Sequence, residues 1–260
     1  MATLRILTLG DVVADTGCRF LRERLWGIRE REKIDAVIIN AENSAVGNGV
    51  DKESADTLFA AGADVLTTGN HVWRKKGTDA LLEKTPTLLR PANFPSPCAG
   101  NGYVIVDVRG YRMLVVSLLG TVFMESVDHP FRTLEKILAN ENGKYDFSMV
   151  DFHAEATSEK AALGLYFDGR VSALWGTHTH VQTNDARVLP EGTGFVSDVG
   201  MTGVENSVLG IDKDLMIKKF MTRIPQYHNV AKGDIVMNGA IFEISTDTWK
   251  CTGVELIRER

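Results

Sequence analysis

Five apolar runs in this chain, Leu4–Leu9, Ala36–Ile39, Val65–Thr67, Phe147–Phe152 and Val171–Trp175, each lead into a short polar string. Runs of that length read as buried strands, and strands apolar throughout belong to a largely parallel sheet covered on both faces. The strings are GDVV at Gly10–Val13, NAEN at Asn40–Asn43, GNH at Gly69–His71, FHAE at Phe152–Glu155 and GTHTH at Gly176–His180. In open α/β sheets ligands bind where the strands end. A parallel arrangement therefore gathers Asp11, Glu42, Asn43, Asn70, His71, His153, His178 and His180 along one edge, a set of side chains suited to two metal ions.

Between the runs the spacing predicts helices. Asp15–Lys33 repeats Phe20, Leu21, Leu25 and Ile28 at helical intervals opposite a charged face. Asp51 caps a helix through Ala61, and Gly62 stops it. The order β-α-β-α-β with right-handed crossovers places the first three strands in one sheet. Beyond Thr78–Lys84 the character changes, and RPANFPSP, with Pro91, Pro95 and Pro97, either borders a site or wraps the sheet. Tyr103–Val108 with Met113–Leu119 reads as a hairpin, as does Asp234–Ser245 with Lys250–Ile257. Phe131–Asn140 and Ser158–Tyr166 read as helices. The fold expected is one domain over residues 1–260, a four-layer α/β/β/α sandwich of two mixed β-sheets.

A chain of 260 residues buries roughly three-quarters of its unfolded surface without staples. Its net charge of −5 gives no overall basic footprint for nucleic acid. Cys18, Cys98 and Cys251 are odd in number and share no zinc-type spacing, which points to a reducing cytoplasm and not to a disulfide framework. The first residues, MATLRILTLGD, read as a strand and not a signal segment, and no apolar stretch approaches the ~20 residues that span a membrane.

Each string has a bland reading beside the functional one. Asp11 is a metal ligand or a helix cap. Residues i and i+2 point to opposite faces of a regular strand, so His178 and His180 both serve one site only at a strand end or loop. Otherwise they are satisfied surface histidines. His153 is a ligand or a partner of a helix dipole. His71 is a proton donor above the cluster or a prop beside it. Asn70 is a hard neutral ligand or a turn residue. Glu42 resists a bland account, and a carboxylate can bridge two ions ~3.5–4 Å apart. His129 and His228 lack strand-end context and carry no assignment. With Asp11 and Glu42 the only anions in the set, two divalent ions leave about +2, a cavity that seeks phosphate esters. The nitrogen-rich set favours iron, manganese or zinc over magnesium or calcium.

GDVV, NAEN, TGNHVW, FHAEATSEK, GTHTHVQT and SDVGMTG at Ser197–Gly203 together resemble the calcineurin-like metallophosphoesterases, and more closely their bacterial YmdB-like branch. The likeness covers almost the whole chain and implies the same α/β/β/α sandwich. It further implies that Asp11, Glu42, Asn43 and His180 hold one ion, that Glu42, Asn70, His153 and His178 hold the other, and that His71 is the proton donor. The cofactors implied are two divalent transition-metal ions, iron ahead of manganese or zinc. The substrates implied are cyclic nucleotides, including 2′,3′-cyclic monophosphates, with RNA ends and a homo-oligomeric assembly also compatible. The pattern departs from the wider superfamily where Asp11-Val12-Val13 replaces Asp-x-His, where Glu42 replaces a bridging Asp, and where Val72 follows His71 in place of an acid. A phosphomonoesterase and a nucleotide-sensing regulatory protein are the competing readings. The late His-x-His pair argues against an amidohydrolase barrel.

Overall fold

The computed structural model describes residues 2–226 and 229–260; His228 lies outside the described residues. The chain runs β1 (Thr3–Leu9), β2 (Asp11–Val12), α1 (Ala14–Arg31), β3 (Ala36–Asn40), α2 (Lys52–Ala61), β4 (Val65–Thr67) and α3 (Thr78–Lys84), with a short 3-10 turn at Val72–Arg74. Next come β5 (Tyr103–Val108), β6 (Tyr111–Leu119), α4 (Pro130–Asn140), β7 (Phe147–His153), α5 (Thr157–Tyr166) and β8 (Ala173–Thr177). The last part is β9 (Arg187–Val188), β10 (Gly194–Val196), β11 (Met201–Val204), α6 (Lys213–Thr222), β12 (Ile235–Ser245) and β13 (Cys251–Glu259).

Two mixed sheets result. One holds β2, β11, β12, β1, β3 and β4 in that order, with β13 added against β12. The other is ordered β5-β6-β7-β8-β10-β9, its inner four strands parallel. The period of two along each strand sorts side chains into three apolar layers. Leu7, Leu9, Val37 and Ile39 face outward onto Leu21 and Leu25 of α1 and Leu58 of α2. Ile6, Ile38, Val65, Val115, Met149, Trp175 and Phe242 fill the space between the sheets. Leu114, Val116, Val150 and Phe152 pack outward against Leu134 of α4 and Leu163 of α5. These are the four layers the strand pattern implied.

The same parity builds the floor of the site. On the inter-sheet face the apolar run gives way at the carboxyl ends of the strands to Asn40, Thr67, Ser117, Asp151, His153 and Thr177, all buried. Local signals behave as their chemistry requires. Asp51 and Ser54 form a reciprocal capping box, and Gly62, at φ +114°, ends α2 in the left-handed region. His129 precedes Pro130 at the start of α4 and packs edge-on against Phe131.

Two expectations shift, and four short strands add to those the sequence predicts. The long first helix ends at Arg31, two residues early, because Lys33 turns to φ +53°. The strand expected at Val171–Trp175 runs Ala173–Thr177, which puts His178 immediately after its last residue. The strands β2, β9, β10 and β11 span two to four residues, too short to show a period in sequence. The RPANFPSP segment wraps the second sheet: Ala92 N–H donates to Ser117 O, Asn93 Nδ2 donates to Leu119 O, and Phe94 meets Trp73 edge to face.

Candidate metal centre

All eight side chains expected at the strand ends stand together. Asp11 opens β2, His153 closes β7, and Glu42, Asn43, Asn70, His71, His178 and His180 sit in the loops just beyond β3, β4 and β8. His153 Nε2 lies 3.0 Å from Glu42 Oε1, 3.2 Å from Asn70 Oδ1 and 3.0 Å from His178 Nδ1. Asn43 Nδ2 lies 3.1 Å from Asp11 Oδ1, 3.3 Å from Glu42 Oε1 and 3.2 Å from His180 Nε2. Glu42 is thus shared between the two groups.

This donor set fits cations. A single imidazole nitrogen offers at most one hydrogen, yet three donor atoms converge on His153 Nε2. Glu42, His153 and His178 present ligand atoms all within 4.8 Å of one another. The backbone of the GNH string lies against them so closely that a Cβ on Gly69 would stand 2.2 Å from Glu42 Oε2 and 2.4 Å from His153 Nε2. Only glycine fits there.

Electrostatics follow from the packing of two buried carboxylates among imidazoles. Burial alone would raise the Asp11 carboxyl, but His180 and His153 outweigh it and hold that group below its usual range. Glu42 is held well below the ordinary value in the same way, burial being overcome by His153 and His71. Burial would lower His153, but Glu42, Asp11 and Asp151 drive it up to about 9. His180 is likewise raised against burial by Asp11. Burial and the neighbouring His153 push His178 down to about 4, leaving it neutral at physiological pH.

Sequence reasoning did not find the groups beneath His153. Its Nδ1 lies 2.8 Å from Thr177 Oγ1, which donates to Asp151 Oδ1 at 2.8 Å. Asn40 Nδ2 donates to Asp151 Oδ2 at 3.0 Å. Asp151, pushed up to about 6 by burial against the pull of these donors, fixes the far side of the ring. Glu155 Oε2, in the FHAE string, lies 3.0 Å from His178 Nε2, a contact that the string alone does not reveal. The available signal for Asp151 was parity: it shares the inter-sheet face with His153, two residues on.

The centre opens into a cavity of about 350 Å³. Its lining brings Glu42, Asn43, His71, His178 and His180 together with the apolar Val13, Val208, Leu209, Ile211, Met216 and Phe220. Helix α6, not anticipated, supplies Met216 and Phe220 and buries no residue of its own. Its signal was Asp212, which accepts from Asp214 and Leu215 N–H as the N-cap. A larger cavity of about 550 Å³ lies between residues 90–96 and α4 and shares no lining residue with the centre.

A family model described as "YmdB-like protein" matches residues 7–257. The chain belongs to the YmdB-like family. It is 41% identical over 254 residues to the 2′,3′-cyclic-nucleotide 2′-phosphodiesterase of Bacillus subtilis, covering 98% of this chain and 96% of that one. A hypothetical protein from Thermus thermophilus has a crystal structure superposing at TM-score 0.92, with 39% identity and 98% and 99% coverage. A phosphatase from Mycoplasma pneumoniae superposes at TM-score 0.93, with 33% identity over 100% of this chain and 94% of that one. The layering recurs at 14% identity in an NAD nucleotidase of Haemophilus influenzae, TM-score 0.56, 99% of this chain and 55% of that one, a likeness of fold alone.

Proposed function

We propose that this YmdB-like chain is a dinuclear metal-dependent phosphodiesterase of cyclic nucleotides, 2′,3′-cyclic monophosphates among them. The observation that carries this reading is the shared Glu42 carboxylate between two clusters of nitrogen and oxygen donors, in a cavity that apolar residues also line. Asp11, Glu42, Asn43 and His180 would hold one ion; Glu42, Asn70, His153 and His178 would hold the other. Asn43, whose Nδ2 faces Asp11 and whose Oδ1 faces His71, ligates through oxygen only with its amide reversed. The nitrogen-rich set suits iron, manganese or zinc. Bound divalent ions supply activation of the attacking water and neutralisation of phosphoryl charge.

The residues of the chain do the rest. His71 is held by Glu42, whose Oε1 lies 3.3 Å from its Nδ1 and whose Oε2 accepts its backbone N–H at 3.1 Å. Its ring stands at the cavity edge, where it protonates the departing ester oxygen. Val208, Leu209, Met216 and Phe220 receive the flat base while the phosphate lies toward the histidines. That wall favours a nucleotide over a phosphoprotein side chain. The relative named as a 2′,3′-cyclic-nucleotide 2′-phosphodiesterase supports the same substrate class.

The test is metal analysis of protein purified without chelator, followed by turnover of 2′,3′-cyclic AMP, 3′-AMP and p-nitrophenyl phosphate. Rapid opening of the cyclic diester with slower monoester release is expected. Turnover of the monoesters alone would establish the phosphomonoesterase reading, and tight nucleotide binding without product would establish the sensor.

A further inference from the structure

His178 and His180 reach one centre from alternate positions because neither is in a strand. Both lie in the left-handed region, at φ +99° and +63°, where side chains other than glycine are strained. Something must hold that segment, and the contacts on Thr179, between them, show what does. Thr179 N–H and Oγ1 both donate to Asp198 Oδ2, at 3.1 and 2.8 Å. The same oxygen accepts Lys160 Nζ at 2.8 Å, and Asp198 Oδ1 accepts Gly200 N–H at 2.8 Å. Lys160 and Asp198 are each 1% exposed.

We propose that the buried Lys160–Asp198 ion pair is a positioning device for the His178-Thr179-His180 segment, aiming both imidazoles at the metal centre. This rests on the reading that the centre holds metal. Lys160 belongs to α5, the helix that follows His153, and Asp198 follows β10, so the clamp ties the His-Thr-His turn to two neighbouring elements. The fold makes room for it: a Cβ on Gly176 would stand 1.8 Å from Ser197 O and 2.8 Å from Lys160 Cδ. A buried ion pair rarely repays its own desolvation, so stability alone does not account for this one, whereas holding a local geometry would. Lys160 also cancels the charge of Asp198, so the clamp holds the loop without adding a second anion beneath Asp11. On either side the turn is completed by His178 N–H donating to Asp11 Oδ2 at 3.0 Å and by His180 Nδ1, 3.1 Å from Leu209 O.

The test compares parent, Asp198→Asn and Thr179→Ala proteins by Mn²⁺ titration calorimetry, by the visible spectrum of the Co²⁺-substituted forms, and by Tm in chelator. Asp198→Asn is expected to bind Mn²⁺ about 10–100-fold more weakly, the usual effect of losing a group that orients ligands, with an altered Co²⁺ spectrum. Thr179→Ala is expected to weaken binding in the same direction by a smaller factor. Asp198→Asn with parental Mn²⁺ affinity and Co²⁺ spectrum, whatever its Tm, overturns the proposal. Should Asp198→Asn not fold, Thr179→Ala decides, and parental metal binding there overturns it. A parent chain that takes up no divalent cation overturns this proposal together with the metal-centre reading; parental uptake with unchanged variants overturns this one alone.

Discussion

At the scale of single residues, the proposed centre would set protons against cations for the same nitrogen atoms. His153, driven up to about 9 by Glu42 and Asp11 against its burial, carries a proton at pH 7 on a nitrogen that a metal ion needs. Metal uptake must displace that proton, so affinity falls as pH drops from about 9 towards 6. Calorimetry of Mn²⁺ binding in buffers of different ionisation enthalpy is expected to show net proton release at pH 7. His71 touches Asn43 and Glu42, and in the proposed reading it donates a proton and holds no metal. His71→Ala is therefore expected to keep its metal content while kcat on a cyclic diester drops roughly 10²–10⁴-fold. Parental turnover would remove His71 from the mechanism. Glu42, shared by both clusters, has a different signature. Glu42→Gln is expected to lose metal from both positions by elemental analysis, and loss confined to one would show that it does not bridge.

At the scale of elements, strand ends decide where chemistry is delivered. β8 ends at Thr177, so His178 and His180 beyond it escape strand geometry and turn into the left-handed region. The strand itself must come close to the loop after β10, and Gly176 permits that. Gly176→Ala drives a methyl group against the Ser197 carbonyl, a contact that shifting a side chain does not relieve. Overpacking of this kind costs about 1–3 kcal/mol, and at roughly 2–4 °C per kcal/mol for a chain near this size the Tm is expected to fall by several degrees. An unchanged melting curve would mean that β8 and β10 part without cost. α6 illustrates the opposite case, an element with little core of its own that gives the centre its apolar side through Met216 and Phe220.

At the scale of the whole molecule, the three apolar layers hold the two sheets in register so that loops far apart in sequence meet. Phe242 of β12 packs against Trp175 of β8 with ring centroids 6.0 Å apart, one of the contacts that ties sheet to sheet. Phe242→Ala is expected to destabilise folding by about 3–5 kcal/mol in urea titration, because the rigid layer closes only partly over the cavity. A shift below 1 kcal/mol would show that the inter-sheet layer repacks freely. The sequence alone determined the layers and the residue types gathered at the sheet edge. Apolar runs of strand length specify buried strands, and a polar string after each run places its side chains at a sheet edge, both being short-range physics. The capping box at Asp51 and the stop at Gly62 were legible for the same reason. Tertiary structure decided what depends on distance in space: which donors share Glu42, how Asp151 and Thr177 fix His153 from below, and how Lys160 and Asp198 hold the His-Thr-His turn. Those contacts join residues from different strands and helices, and no spacing along one chain can encode a hydrogen bond whose partners meet only after the sheets have packed.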